Sequence, residues 1–361
     1  MTKKIELNDT LSMKGVAIII IILHNLCHLI SPVRENEYGF NIKLTEMFTT
    51  RLFQFHKDLL TDIFSFLGWY GICVFLFISG YGLVKKYENN PHNRTISFWS
   101  FFLNHSKKLF LLMIVPYCGY LLLIYIFNGK IMGIDSILAQ TLMISNLYSF
   151  YIHPGVYWYF GLMLQLYVVY YLFIFNKSQK YILGLILLQI LVISFCYYFL
   201  DKNSILDQFL SLKYLLSSYN LLHNFIGWIL PFALGIIYAR CNLNITFDNN
   251  LTNLLFFIVL LPLLVMSNLH FMTWLISPIL AIFSALYLNE LIKNFRFANK
   301  VFIYFGGISA FLFATHPLVR HVYLQITKSL DVLYVILYVA VCILIAIIYK
   351  ILHNRMFKKN I

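Results

Sequence analysis

Along the 361 residues, long apolar runs alternate with short polar breaks. Ten runs have spanning length, near residues 12–31, 61–84, 108–128, 156–176, 181–200, 222–240, 250–267, 270–289, 301–320 and 332–352. A helix crossing hydrocarbon takes about 20 apolar residues. These runs are continuously apolar, whereas a barrel strand alternates over about ten residues. The pattern therefore predicts an all-α polytopic membrane protein of about ten transmembrane helices. Residues 136–150 and 205–219 are apolar but short or interrupted, and are expected to be interfacial or re-entrant pieces. The first run is too long for the apolar region of a signal peptide. No small-residue cleavage site follows it at His28-Leu29-Ile30-Ser31-Pro32, so it is expected to stay as the first span.

Composition agrees with a lipid solvent. The chain is 61% hydrophobic and 11% charged, against about 25% charged in an ordinary soluble domain. Ten spans leave short loops, so the whole chain, 1–361, is expected to be a single transmembrane domain. The net charge of +13 raises nucleic acid as a partner, but its placement argues otherwise. With the N-terminus inside, 18 Lys and Arg fall on the cytoplasmic side and nine outside, while five acidic residues fall inside and nine outside. The inner face then carries the whole +13 and the outer face is neutral, as the positive-inside rule expects. Both termini are thus expected in the cytoplasm, and no nucleic acid is expected. The six cysteines have neither metal-ligand nor disulfide spacing. The longest outer stretch, roughly 32–60, is polar and aromatic and carries Arg34-Glu35-Asn36-Glu37-Tyr38.

Hydrocarbon penalises ionisable side chains, so those inside spans are functional candidates. The first span reads KGVAIIIIILHN from Lys14 to Asn25. His24 lies about 15 Å along the helix from Lys14, near mid-membrane, and His28 is one turn further on the same face. A buried imidazole is expected in its neutral form, which can take a proton from an alcohol. The plainer alternative is a histidine bonded to a neighbouring helix.

Five segments, in order, resemble the integral-membrane acyltransferase family 3. They are KGVAIIIIILHN, VFLFISGYGL (Val74–Leu83), HSKKLFLLMIVPY (His105–Tyr117), VYWYFGLMLQLYVVY (Val156–Tyr170) and FGGISAFLFATHPLVR (Phe305–Arg320). The family commonly has Arg, ten residues, then His. Here the basic residue is Lys14, nine residues separate it from His24, and the ten-residue position is Asn25. Lysine keeps the charge but loses the planar fork that grips phosphate at two points. The resemblance implies transfer of an acyl group, expected to be acetyl, from acyl-CoA as co-substrate to a hydroxyl of a cell-surface or lipid-linked glycan. It implies a bacterial cytoplasmic membrane, and no separate hydrolase-like domain is expected here.

By that resemblance His24 is the expected base, with His28 its rival. Lys14, Lys107 and Lys108 are candidates for the coenzyme A phosphates, although Lys107 and Lys108 also satisfy the positive-inside rule. Ser79 and Tyr81 either line a donor channel or belong to close packing around Gly80 and Gly82. Trp158 and Tyr159 are candidates for stacking on a sugar or adenine, or else belt aromatics. His316 and Arg320, beside Pro317, which breaks the local hydrogen-bond ladder and is expected to open a polar pocket, are candidates for the acceptor, and His223 is a weaker one. No metal is expected, because the histidines are not grouped with carboxylates in the sequence. A homo-oligomer is compatible with the sequence. A polysaccharide flippase or polymerase is the alternative class, but no internal repeat is evident and the outer face is neutral.

Overall fold

The computed structural model describes residues 5–54, 56–129, 131–147, 154–201, 218–327 and 331–357. Lys3, Lys4, Lys358, Lys359 and most of the apolar stretch 205–219 lie outside the described residues. The described chain is helical with no strand. The helices are α1 (Leu7–Ile30), α2 (Ile42–Phe53), α3 (Leu59–Leu67), α4 (Tyr70–Leu83), α5 (Phe98–Asn128), α6 (Ile134–Thr141) and α7 (Trp158–Val169). They continue with α8 (Gln179–Phe195), α9 (Phe225–Arg240), α10 (Asn250–Ser267), α11 (Phe271–Lys293), α12 (Arg296–Ile326) and α13 (Val332–Phe357).

Each of the ten apolar runs falls on these helices. Among the described residues eight segments have the length and hydropathy to cross a bilayer, and α3 with the helix beginning at Tyr70 makes a ninth, bent by 40°. Apolar α9 is shorter, at 16 residues. Prolines 116, 231, 262, 278 and 317 all lie inside helices. Membrane helices tolerate this when neighbours satisfy the freed carbonyls. The helix runs on through Pro317, which removes one donor from its ladder without ending it. The stretch 32–60 is also more ordered than a loop, since it holds α2 and the start of α3. Residues 136–147 carry most of α6 and a short 3-10 turn.

Contacts divide the described chain into two compact units, and α9, α12 and α13 each have residues in both. The first unit holds α1 to α4, α10, α11 and parts of α9, α12 and α13. In it α1 packs on α3 and α4, α10 on α11, and α4 on α11. Helices α1 and α11 are more than half buried along their apolar windows, whereas α10 is 22% buried and leaves most of its surface to lipid. Gly80 meets the Phe232 carbonyl and Gly235 the Phe77 carbonyl, so a Cβ on either would force α4 and α9 apart. This supports the packing reading of the residues around Gly80. At the Leu7 end of α1, Asp9 pairs with Lys293 at 2.8 Å, and Arg240 grips Glu88 through two bonds of 2.6 and 2.8 Å.

The second unit holds α5 to α8 and the remaining parts of α9, α12 and α13. Helix α7 packs on α5. Amide side chains organise its centre. Asn146 Nδ2 donates to the Trp158 carbonyl at 2.7 Å and to the His223 carbonyl at 2.5 Å, and Gln165 donates to Asn224 at 2.7 Å. In a medium without water such groups must be satisfied internally.

Candidate active site

The site is built where α1 ends and the chain turns back over it. Helix α1 starts with a reciprocal cap between Glu6 and Asp9 and carries His24 and His28 one turn apart near its far end. His24 is 2% exposed. Its Nδ1 lies 3.1 Å from the Phe64 carbonyl. A carbonyl only accepts, so in the neutral ring the proton sits on Nδ1 and the lone pair on Nε2. The same carbonyl also accepts the Gly68 N–H at 3.0 Å, using both of its lone pairs. Gly68 opens the break between α3 and α4, and a Cβ there would collide with His24 Cβ and the Phe64 carbonyl. Only glycine lets α3 approach the imidazole this closely.

Beyond the ring, residues 31–41 fold over the end of α1. Asp62 on α3, fully buried, anchors their start. It accepts from Ser31 Oγ at 2.7 Å and Arg51 Nε at 2.6 Å, and His56 Nε2 lies 2.9 Å away. Ser31 Oγ accepts the Val33 N–H, and the Val33 carbonyl accepts from Ser65. Arg34 donates to the His28 carbonyl. The middle of the segment is fixed through Asn36, whose Nδ2 donates to Thr45 and whose carbonyl accepts from Trp274 Nε1, each at 3.0 Å.

This clamp brings two carboxyls to the histidines. Glu37, 4% exposed, places Oε2 3.9 Å from His24 Nε2. Burial pushes the Glu37 carboxyl above the ordinary carboxylate range, and the facing imidazole opposes that rise. The rings of His24 and His28 stack with centroids 5.1 Å apart. His28 Nδ1 lies 3.1 Å from the His24 carbonyl. One ring nitrogen of each histidine and one carboxylate oxygen of Glu35 lie within 4.8 Å of one another. The expectation that the histidines stand apart from carboxylates is therefore corrected, since the fold assembles what the sequence keeps separate.

An apolar cavity of about 210 Å³ runs beside α1, lined by Met13, Ala17 and Ile20 at one side and by Phe64, Gly68 and Gly71 at the other. It reaches Phe64, whose carbonyl holds the His24 ring, and Gly68, which packs against it.

Lys14 is half-buried on α1, about 15 Å along the axis from His24, and has no ion pair among the described residues. Ser79 Oγ is turned back to the Phe75 carbonyl, and the Tyr81 hydroxyl donates to the Ile5 carbonyl. In the second unit, Lys107 and Lys108 are exposed on α5. Trp158 is 2% exposed and lies against Trp228 and His223, so it is not a belt aromatic. Tyr159, Phe313 and His316 form a row, with centroids 4.9 and 5.7 Å apart. His316 is fully buried, its Nδ1 3.1 Å from the Leu312 carbonyl, and Arg320 follows one turn later. The sequence reading missed Glu35, Glu37, Asp62 and the Phe64 carbonyl. The two glutamates carried a faint signal, a pair of acids flanking Asn36. A backbone carbonyl carries none.

The chain matches the family model described as an acyltransferase domain, acyltransferase family 3, over residues 12–351. It belongs to that family. The protein is thus a membrane acyltransferase, and the family match covers both histidines and the helices that hold them. No curated protein and no solved structure matches the acyltransferase.

Proposed function

We propose that this acyltransferase moves an acetyl group from cytosolic acetyl-CoA to a hydroxyl of a cell-surface or lipid-linked glycan. The observation that carries the reading is the placement of His24 between Phe64 and Glu37. Its Nδ1–H is tied to Phe64, and Nε2 faces Glu37 across 3.9 Å. That gap is too long for a hydrogen bond, yet one hydroxyl oxygen can sit about 2.8 Å from both atoms. Nε2 removes the hydroxyl proton, and the alkoxide oxygen attacks the thioester carbonyl carbon. A C–O bond forms, the C–S bond breaks, and the thiolate leaves with the proton that His24 returns. Glu37 and the Phe64 carbonyl stabilise the imidazolium while it exists. Such proton transfer contributes about 10²–10⁴-fold.

The donor is assigned to the Leu7 end of α1, taken as the cytoplasmic side. Lys14 supplies a cation for its phosphates. Lys107 and Lys108 remain candidates for the same chemistry on their own unit. The cavity from Met13 to Gly68 supports an apolar path for the acyl group. Tyr159, His316 and Arg320 remain candidates for the acceptor on their own unit, where they offer an aromatic face and polar groups of the kind that bind sugars. The test is mass spectrometry of surface glycans from cells with and without the protein. Loss of an acetyl mass supports the reading, and unchanged glycans contradict it.

A further inference from the structure

We propose that His24, His28 and Glu35 form a divalent transition-metal site, with zinc as its ion, and that metal and acceptor hydroxyl use His24 Nε2 in mutually exclusive ways. The exclusivity rests on His24 being the base, whereas the site itself does not.

Three independent observations meet here. The first is proximity, with the three donor atoms within 4.8 Å of one another. A tetrahedral zinc with bonds of about 2.0–2.1 Å holds its ligands roughly 3.3 Å apart. Side-chain shifts of the order of 1.5 Å close the cluster onto an ion. The second is ring orientation. Both histidines direct Nδ1–H at a backbone carbonyl, Phe64 for His24 and His24 for His28. Metal-binding histidines are oriented in this way, because the outer bond fixes the tautomer that presents Nε2. The third is the carboxyls. Glu35 Oε2 and Glu37 Oε1 are buried atoms with no hydrogen-bond partner among the described residues. A buried anionic oxygen left without a donor is costly, and a dication held by the cluster removes that cost at Glu35. Two imidazoles with one or two carboxylates suit zinc, cobalt or manganese. Magnesium and calcium prefer all-oxygen shells.

The consequence for transfer is competition. A lone pair given to a metal cannot accept a proton, so zinc lowers the rate and a chelator restores it.

The experiment uses full-length protein in detergent, purified without a histidine tag and stripped with a chelator. Zinc is added, excess is removed by desalting, and retained metal is measured by elemental mass spectrometry. Wild type is expected to retain a single equivalent, with magnesium unable to displace it. His28→Ala and the near-isosteric Glu35→Gln are each expected to weaken retention about 10–100-fold. Cobalt absorption in the visible range reports the coordination directly and should disappear in Glu35→Gln protein that still elutes as a single species. No retained zinc in wild type, or equal retention in both variants, overturns the site. The rate separates the two claims. Retained zinc that slows transfer supports both, whereas retained zinc that accelerates transfer overturns the exclusivity together with the role of His24 as base.

Discussion

Glu37 Oε2 stands 3.9 Å from His24 Nε2, on the side of the ring opposite the Phe64 carbonyl that holds Nδ1. The imidazole is therefore oriented from one side and electrostatically supported from the other. Glu37→Gln keeps the shape and removes the charge. Transfer is expected to fall about 10–100-fold, within the range for loss of one stabilising group. Thermal unfolding should stay close to wild type, because a buried carboxyl that has lost its charge is no longer penalised. Initial rates and a melting curve on the same preparation check this.

Gly68→Ala tests the close approach of α3 to the ring. The added methyl meets His24 Cβ and the Phe64 carbonyl, both held by packing. Overpacking of this kind costs about 1–3 kcal/mol, and a displacement of about 1 Å at the base lowers the rate about 10²-fold. Donor binding, measured by isothermal titration, should change little.

Asp62→Asn tests the clamp. Removing one partner of a fully buried ion pair costs about 3–5 kcal/mol. Arg51 and His56 are 27% and 22% exposed and can recover some hydration, so a loss of the order of 2 kcal/mol is expected. The variant should also lose transfer, since Ser31 and Val33 no longer set the course of the segment that presents Glu35 and Glu37. Chemical unfolding and rates on the variant decide the point.

Lys14→Ala tests the donor site. The expected result is a KM for acetyl-CoA raised about tenfold with kcat little changed, the signature of lost ground-state binding. Lys14→Arg should restore much of the affinity, because charge rather than fork geometry is what the lysine supplies. A fall in kcat at unchanged KM would place Lys14 elsewhere in the mechanism.

The spans were legible because lipid imposes a length on every apolar run, and each of the ten runs is helical, with 61–84 broken into α3 and α4. His24 was legible because an imidazole in the middle of an apolar run has few cheap explanations. Its partners were not. Glu37 reaches His24 only because Asp62, Thr45 and Trp274 fold residues 31–41 back over α1, and none of those bonds is local in sequence. Asp62 lies at the start of the run 61–84, where a charge is ordinary. The break at Gly68 lies within an unbroken apolar run, where periodicity gives no sign of a bend. Trp158 sits at a span end, as belt aromatics do, and only the packing of Trp228 and His223 shows that it faces inward.

The central claim is that His24 takes the proton of the acceptor hydroxyl. The direct measurement is the steady-state rate of acetyl transfer from acetyl-CoA to glycan, compared between wild-type and His24→Ala protein of equal monodispersity in one detergent. A fall of about 10²–10⁴-fold is expected, with acetyl-CoA affinity retained. A variant that transfers at close to the wild-type rate would contradict it.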